Sequence, residues 1–421
     1  MRDKRRWIEW GKNVVIALLT LSAVWLLSMT PLVRDSGVLD LLPPRESPGA
    51  GAVTGGAAAA MLPARMVITG EGGHCGIQYD ETRLEEQFPP LGALLGDALA
   101  SAGQPQPLEE SRWRRLLEGR GVYFDFLGDV PLAALEQWLQ GPGEGTLEGS
   151  ARRVLLCAGE GDQVLLCWQD AEGGRFFSSP TALTQALHLD PATAGAAPNG
   201  ACFAFESPQL KDRLSPYTLI TVGGETGGCY AASLPLAGEG QRDTVLEALS
   251  FAGQNPAPVN GGEVYPDGGD RLVVYDNGTV AFRAAQGEKY PVGAGRAAGV
   301  DGARVLAERT LGALCGEARL YLMSAKDTEN GLRVRFGYLL DGSAVYLGGE
   351  GWAAEFWVRD GYIVQFTLRF RSYAANGEQA LLLPIDKAAA MLPEYTPEQR
   401  ELVIQYRDGG GPEVRPNWVA A

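Results

Sequence analysis

The chain has 421 residues, 45% of them hydrophobic and 21% charged, enough apolar material for roughly two to four domains with real cores and too much for a wholly disordered chain. A net charge of −15 disfavours nucleic acid, whose phosphates need a basic surface, and disfavours adhesion to anionic lipid. Only His74 and His188 are present, which nearly excludes a histidine-based triad or metal site.

The first twelve residues, MRDKRRWIEWGK, hold five Lys/Arg against two Asp/Glu and lead into an apolar run from Val14 to Met29, broken only by Thr20, Ser22 and Ser28. As a helix that run nearly spans a hydrocarbon core of roughly 30 Å. The basic flank keeps the N-terminus cytoplasmic and sends residues after Thr30 outside, and Trp7 and Trp10 suit the inner interface. Trp25, Leu26 and Leu27, followed by Pro31, spoil an A-x-A-like cleavage site, so an uncleaved signal anchor is expected over a cleaved peptide. Cys75 is the first cysteine, too distant for lipoprotein processing. On this single-pass helix Asn13, Ala17, Thr20 and Val24 recur at i, i+4, i+7 and i+11, a narrow face of small and polar residues that makes a candidate contact with a partner helix. The alternative is that Asn13 sits at the interface and Thr20 bonds its own helix.

Residues 34 to 65, RDSGVLDLLPPRESPGAGAVTGGAAAAMLPAR, read as a flexible Gly/Ala/Pro stalk. Short strands are expected at Met66–Thr69 and Gly76–Asp80, with GEGGHC as an exposed turn that carries His74. Leu91, Leu94, Leu95, Ala98 and Leu99 place one stripe on a helix. EESRWRRLLEG reads as a further helix and GVYFDF as a strand; Asp129 with Pro131 predicts the N-cap of a helix bearing Leu132, Leu135, Trp138 and Leu139, and GPGEGTLEGS closes the unit. Strands follow at Val154–Cys157, Gln163–Trp168 and Arg175–Ser178, then ACFAFE and YTLITV.

Residues 241 to 283 pair a helix (Val245, Leu246, Leu249) with the hairpin RLVVYDNGTVAFR, a shorter version of the plan from 302 onward that suggests a diverged repeat. There a helix over Gly302–Leu314 precedes ARLYLMS, LRVRFGYLL, SAVYLGG, AAEFWVR and YIVQFTLRFRSY, with tight hairpins expected at Asn330-Gly331, Asp341-Gly342 and Asp360-Gly361 in an antiparallel meander. Tyr362, Val364, Phe366, Leu368 and Phe370 should share one face, leaving Gln365, Thr367, Arg369 and Arg371 wet. The fold class is α+β: a transmembrane anchor at 1–33, a stalk at 34–64, an N-terminal α+β domain at 65–148, a middle α+β domain at 149–300 and a C-terminal helix plus antiparallel sheet at 301–421.

Catalytic and cofactor motifs are not found. VGGETGGCY and VGAGRAAGV lack the Lys-Ser/Thr of a phosphate-binding loop, and no carboxylate pair is singled out. The six cysteines are too spread for a C-x-x-C site; Cys157 and Cys167 lie in strand-like apolar runs. Asn277-Gly-Thr matches a glycosylation acceptor, which the turn alone explains.

FAFE (Phe203–Glu206), LVVYDNGTVAF, VRFGYLLDGSAVYL and the closing LLLPIDKAAAML and LVIQYRDGGGPEVRPNW, behind an N-terminal anchor, resemble the YycH/YycI family of two-component regulatory proteins, most clearly from about Arg271 to Trp418. The resemblance implies a non-enzymatic, membrane-anchored protein of Gram-positive bacteria, without cofactor, whose ectodomain faces the wall. Its implied partners are the cell-wall sensor histidine kinase WalK (YycG) and a second YycH/YycI-type protein, contacted partly through transmembrane helices. The sign of regulation stays open. The rival expectations are a peptidoglycan-binding module and, last, a wall hydrolase using paired carboxylates.

Overall fold

The computed structural model describes residues 61–141, 147–171, 174–222, 226–392 and 401–420, which belong to one compact unit. The expected anchor, its face of Asn13, Ala17, Thr20 and Val24, and the stalk up to residue 60 lie outside the described residues. Among the described residues no helix is long and apolar enough to cross a membrane.

β1 (Arg65–Gly70) and β2 (Gly73–Gln78) form a hairpin that closes at Gly70 and Gly73, so His74 and Cys75 are strand residues and not part of an exposed turn. Asp80 caps α1 (Glu81–Ala100) by accepting from the Arg83 N–H at 3.0 Å; the helix starts well before the Leu91 stripe and carries Pro89 and Pro90 inside it. Next come β3 (Gln106–Leu108), α2 (Glu110–Glu118), β4 (Gly121–Pro131) and α3 (Leu132–Gln140). Asp129 is not the N-cap of α3: β4 runs on to Pro131, which takes the cap position itself. With β5 (Ser150–Ala158), β6 (Gln163–Asp170) and β7 (Phe176–Thr184) the strands form an antiparallel sheet in the order β2-β1-β4-β5-β6-β7-β3. β4 pairs with β5, so this sheet runs straight across the division expected at 148/149.

Both faces of the sheet are covered, which is why its strands read as near-continuous apolar runs. Val122, Phe124, Val154, Leu156 and Leu166 belong to the same apolar core as the buried side of α1 and α3. Tyr123, Leu155, Cys157 and Cys167 face a second core with Trp113 and Leu117 of α2 and with Phe203, Tyr217 and Leu219. Phe203 lies in β8 (Cys202–Phe203), paired with β9 (Leu219–Ile220); the rest of FAFE is a 3-10 turn.

The second half contains β10 (Thr226–Ser233), α4 (Glu239–Ala248), β11 (Ala257–Val259), β12 (Gly262–Asp267), β13 (Asp270–Tyr275), β14 (Thr279–Arg283), α5 (Arg296–Thr310) and β15 (Arg319–Thr328). β16 (Gly331–Leu340), β17 (Ser343–Leu347), β18 (Ala354–Arg359), β19 (Tyr362–Arg369), β20 (Ser372–Leu381), α6 (Ile385–Ala390), β21 (Leu402–Asp408), β22 (Glu413–Val414) and β23 (Pro416–Ala420) complete it. Eleven of these strands make one sheet in the order β11-β12-β13-β14-β19-β18-β16-β17-β21-β23, with β15 on β16; β20, β10 and β22 make a smaller one. The hairpin of the suspected repeat is thus part of the same sheet, β14 pairing with β19 across the division expected at 300/301.

The meander expectation holds for β15, β16 and β17 and again for β18 and β19, and breaks between β17 and β18. β16 is long enough to take β18 along its first half and β17 along its second, and β17 then receives β21 in parallel. Asp341-Gly342 (φ 48° and 72°) and Asp360-Gly361 (φ 52° and 79°) make the left-handed two-residue turns expected of them. At the third hairpin Gly331 already pairs with Thr328, so the turn falls one residue earlier. In β19 a bulge between Trp357 and Val358 of the neighbouring strand shifts the register, and Ile363 is buried in place of Tyr362 and Val364; Phe366, Leu368 and Phe370 point inward as expected. The Trp138 indole N–H donates to Asp301 at 2.8 Å, tying α3 to α5 and hence one half of the fold to the other.

Candidate functional site

The most heavily charged buried part of the described structure lies beside its first described residues. Met61, Leu62 and Ala64 are all buried, although the sequence places them in a Gly/Ala/Pro-rich stretch. Arg319, at the start of β15, donates to the carbonyls of Leu62 (3.2 Å) and Pro63 (3.3 Å) and pairs with Glu81 of α1 at 2.5 Å. Ala64 N–H donates to the Asp125 carbonyl at 2.9 Å. The incoming segment is therefore held by β4 on one side and by β15 and α1 on the other.

One residue further the same strand carries Arg65 into an ionic cluster with Arg152 and Arg153 of β5, Asp125 of β4 and Glu401, which immediately precedes β21. Arg65 bonds Glu401 and lies 3.5 Å from Asp125; Arg152 reaches Glu401 at 2.5 Å and Asp125 at 3.3 Å; Arg153 reaches Glu401 at 2.9 Å. Arg153 also bonds Gln169 at 2.7 Å and lies over the Tyr217 ring. Three guanidiniums against two carboxylates leave one excess positive charge in a region where Asp125 is fully buried and Glu401 is 5% exposed.

Burial by itself pushes a carboxyl up, yet Arg152, Arg153 and Arg65 outweigh it and hold Glu401 well below the ordinary carboxylate range; Asp125 is lowered too, Arg152, Arg65 and Arg153 outweighing its burial. Burial lowers Arg65 and Arg152, but Glu401 and Asp125 reverse this and raise both. Each partner thus fixes the charge of the others, and the cluster acts as a permanent weld between the first sheet and the C-terminal strands. Asp125 has a further task. Its Oδ1 accepts the Leu127 N–H at 2.9 Å, bracing a residue at φ 62°. Gly128 follows, so close to β15 that a Cβ there would sit 1.9 Å from the Leu322 carbonyl oxygen.

Of the two histidines, His74 departs from the exposed turn expected of it. His74 is buried, its Nδ1 2.8 Å from Thr69 Oγ1 and its Nε2 2.9 Å from Glu206, which also accepts the Phe203 N–H. It braces the first sheet against the FAFE turn. His188 bonds its own turn through the Thr184 N–H at 3.1 Å. Arg371, expected on a wet face, is buried and holds Asp408 at 2.6 and 3.0 Å, with the Tyr373 hydroxyl donating to the same carboxylate. Asn277 accepts from the Thr279 N–H, the local turn expected of it. Cys229, Glu378 and Glu413 approach within 4.8 Å, and Arg415 bridges both carboxylates at 2.7 and 3.3 Å, supplying the positive charge that such a group needs.

Sequence reasoning missed the ionic cluster. Its signal was present in part: Arg152-Arg153 and Asp125 interrupt otherwise apolar strands, where a charge is rarely buried without a partner. Nothing near Glu401 indicates which carboxylate answers them.

No model of a known protein family matches the chain, and no curated protein matches its sequence. Among solved structures, the crystal structure of YycH from Bacillus subtilis is similar, with a TM-score of 0.54 and 10% identity over 86% of this chain and 94% of that one. The two share a fold across nearly the whole of the solved protein.

Proposed function

We propose that the protein is a membrane-anchored, extracytoplasmic regulator of a two-component system that acts on a WalK-like sensor histidine kinase and carries out no chemistry of its own. The observation that carries the reading is the likeness of fold to YycH over 94% of that chain, alongside the sequence resemblance to the YycH/YycI family. On this reading the apolar run Val14–Met29 anchors the chain, and the face formed by Asn13, Ala17, Thr20 and Val24 meets a kinase helix. Packing and hydrogen bonds between helices in lipid are worth roughly 0.6 to 2 kcal/mol each. A few such contacts suffice to shift a signalling equilibrium tenfold, which needs about 1.4 kcal/mol.

The junction supports this reading mechanically. A pull on the tether is received by both parts of the fold, since Leu62 and Pro63 are bonded to Arg319 and Ala64 to Asp125. Ala17→Leu with Thr20→Leu in the full chain should change output from a reporter of the kinase's response regulator while leaving the melting of the folded body unchanged. Unaltered output in a strain lacking the native gene overturns the helix-contact mechanism.

A further inference from the structure

Six large apolar side chains are exposed among the described residues, and three of them, Leu381, Leu383 and Met391, converge on one groove of about 340 Å³ between the end of β20, α6 and β23. Leu392, Leu402 and Trp418 line it as well. The Trp418 indole N–H donates to the Leu383 carbonyl at 2.7 Å, so the ring's one polar atom is already satisfied. Asp386 and Lys387 of α6 offset one another at 3.9 Å, and no charged residue is among the described residues that line the groove.

Its position supplies the occupant. Leu402 follows Glu401, whose carboxylate holds Arg65, so the groove lies one residue away in sequence from the junction where the chain enters the body. Between the apolar run, which ends at Met29, and Met61 stand only residues 30–60, the Gly/Ala/Pro stretch. A link of that length keeps this end of the body near the bilayer, at an effective concentration on the order of millimolar.

We infer that this groove docks on the bilayer to which the anchor holds the chain, with Leu381, Leu383 and Met391 entering the boundary between headgroups and acyl chains. The inference rests on the anchor reading of the preceding subsection. An uncharged described lining and a satisfied indole suit an interfacial contact driven by apolar area, without the basic residues of an anionic-lipid site.

The test uses the full chain in phosphatidylcholine vesicles, with the photoreactive residue benzoylphenylalanine at position 391 and, as a control, at the equally exposed position 187. Flotation reads the anchor, and mass spectrometry of the adduct reads the groove. Lipid adducts at 391 and not at 187, lost in Leu381→Asp with Leu383→Asp, are expected. A chain that floats but yields only protein or solvent adducts at 391 overturns the docking and leaves the anchor standing. A chain that does not float overturns both, because the docking depends on the tether.

Discussion

Replacing Glu401 by glutamine keeps its shape and removes its charge, and the consequence follows from the junction's charge count. The native cluster holds three guanidiniums against two carboxylates; the variant holds three against one, with Arg65 and Arg153 almost wholly buried. Breaking a buried ion pair from one side costs about 3 to 5 kcal/mol, since the partner's charge remains out of water. Arg152 is 29% exposed along its side chain and can recover some hydration, which places the expected loss near the lower end, about 3 kcal/mol. With a urea slope of about 3 kcal/mol per M, the unfolding midpoint of the full chain should fall by about 1 M. Glu401→Gln combined with Arg152→Gln restores the excess to a single positive charge and should recover part of the loss. The pH dependence carries the same signature. A carboxylate whose folded pKa is depressed contributes stability above its unfolded value, about 4.5, and that contribution drains away as pH falls below it. The acid limb of the wild-type stability curve should therefore be steeper than the variant's. A midpoint shift below about 0.3 M, with acid limbs superimposed, would refute the account of the cluster as a weld.

Gly128→Ala places a methyl 1.9 Å from the Leu322 carbonyl oxygen and 2.7 Å from that of Met323, with backbone on both sides and no flexible side chain to yield; about 3 kcal/mol should be lost, seen as a lower melting temperature with unchanged far-ultraviolet dichroism. Arg319→Met leaves the carbonyls of Leu62 and Pro63 and the Glu81 carboxylate without their donor, and cleavage by an added protease between residues 61 and 65 should quicken while the rest of the body resists. Glu308 of α5 is pushed up to about 7, burial outweighing Arg304 and Arg319. A carboxyl raised in the folded state favours folding fully below about 4.5, and this support disappears as pH climbs through 7. Glu308→Gln should flatten that decline and stabilise the protein above pH 7, by less than about 3 kcal/mol, measured from urea midpoints at pH 5 and pH 8.

Much of the fold could be read from local pattern. The strands from Val154 to Trp168 and the two Asp-Gly turns announce themselves because the cause is close at hand in sequence: an apolar run covered on both faces, or a backbone that must turn left-handed. What could not be read depends on partners far along the chain. Asp129 resembles a helix cap, but β5 extends β4 past it through pairs such as Val130 with Ala151. The division at 148/149 follows a glycine-rich stretch, yet β4 before it and β5 after it are paired neighbours in one sheet. His74 looks like a turn residue until Glu206 arrives to accept it. The junction is the extreme case, since its arginines are visible as oddities in apolar strands while the carboxylate that completes them stands 336 positions from Arg65.

That separation bears on how the polypeptide matures. Arg65, Arg152 and Arg153 emerge from the ribosome long before Glu401, and until it arrives Asp125 is the buried counter-ion that the described part of the first sheet offers them. A nascent or prematurely terminated chain is thereby kept from settling into a sturdy half-product. Synthesis of the final segment is what closes the body, and quality-control proteases are offered an open target whenever that segment is missing.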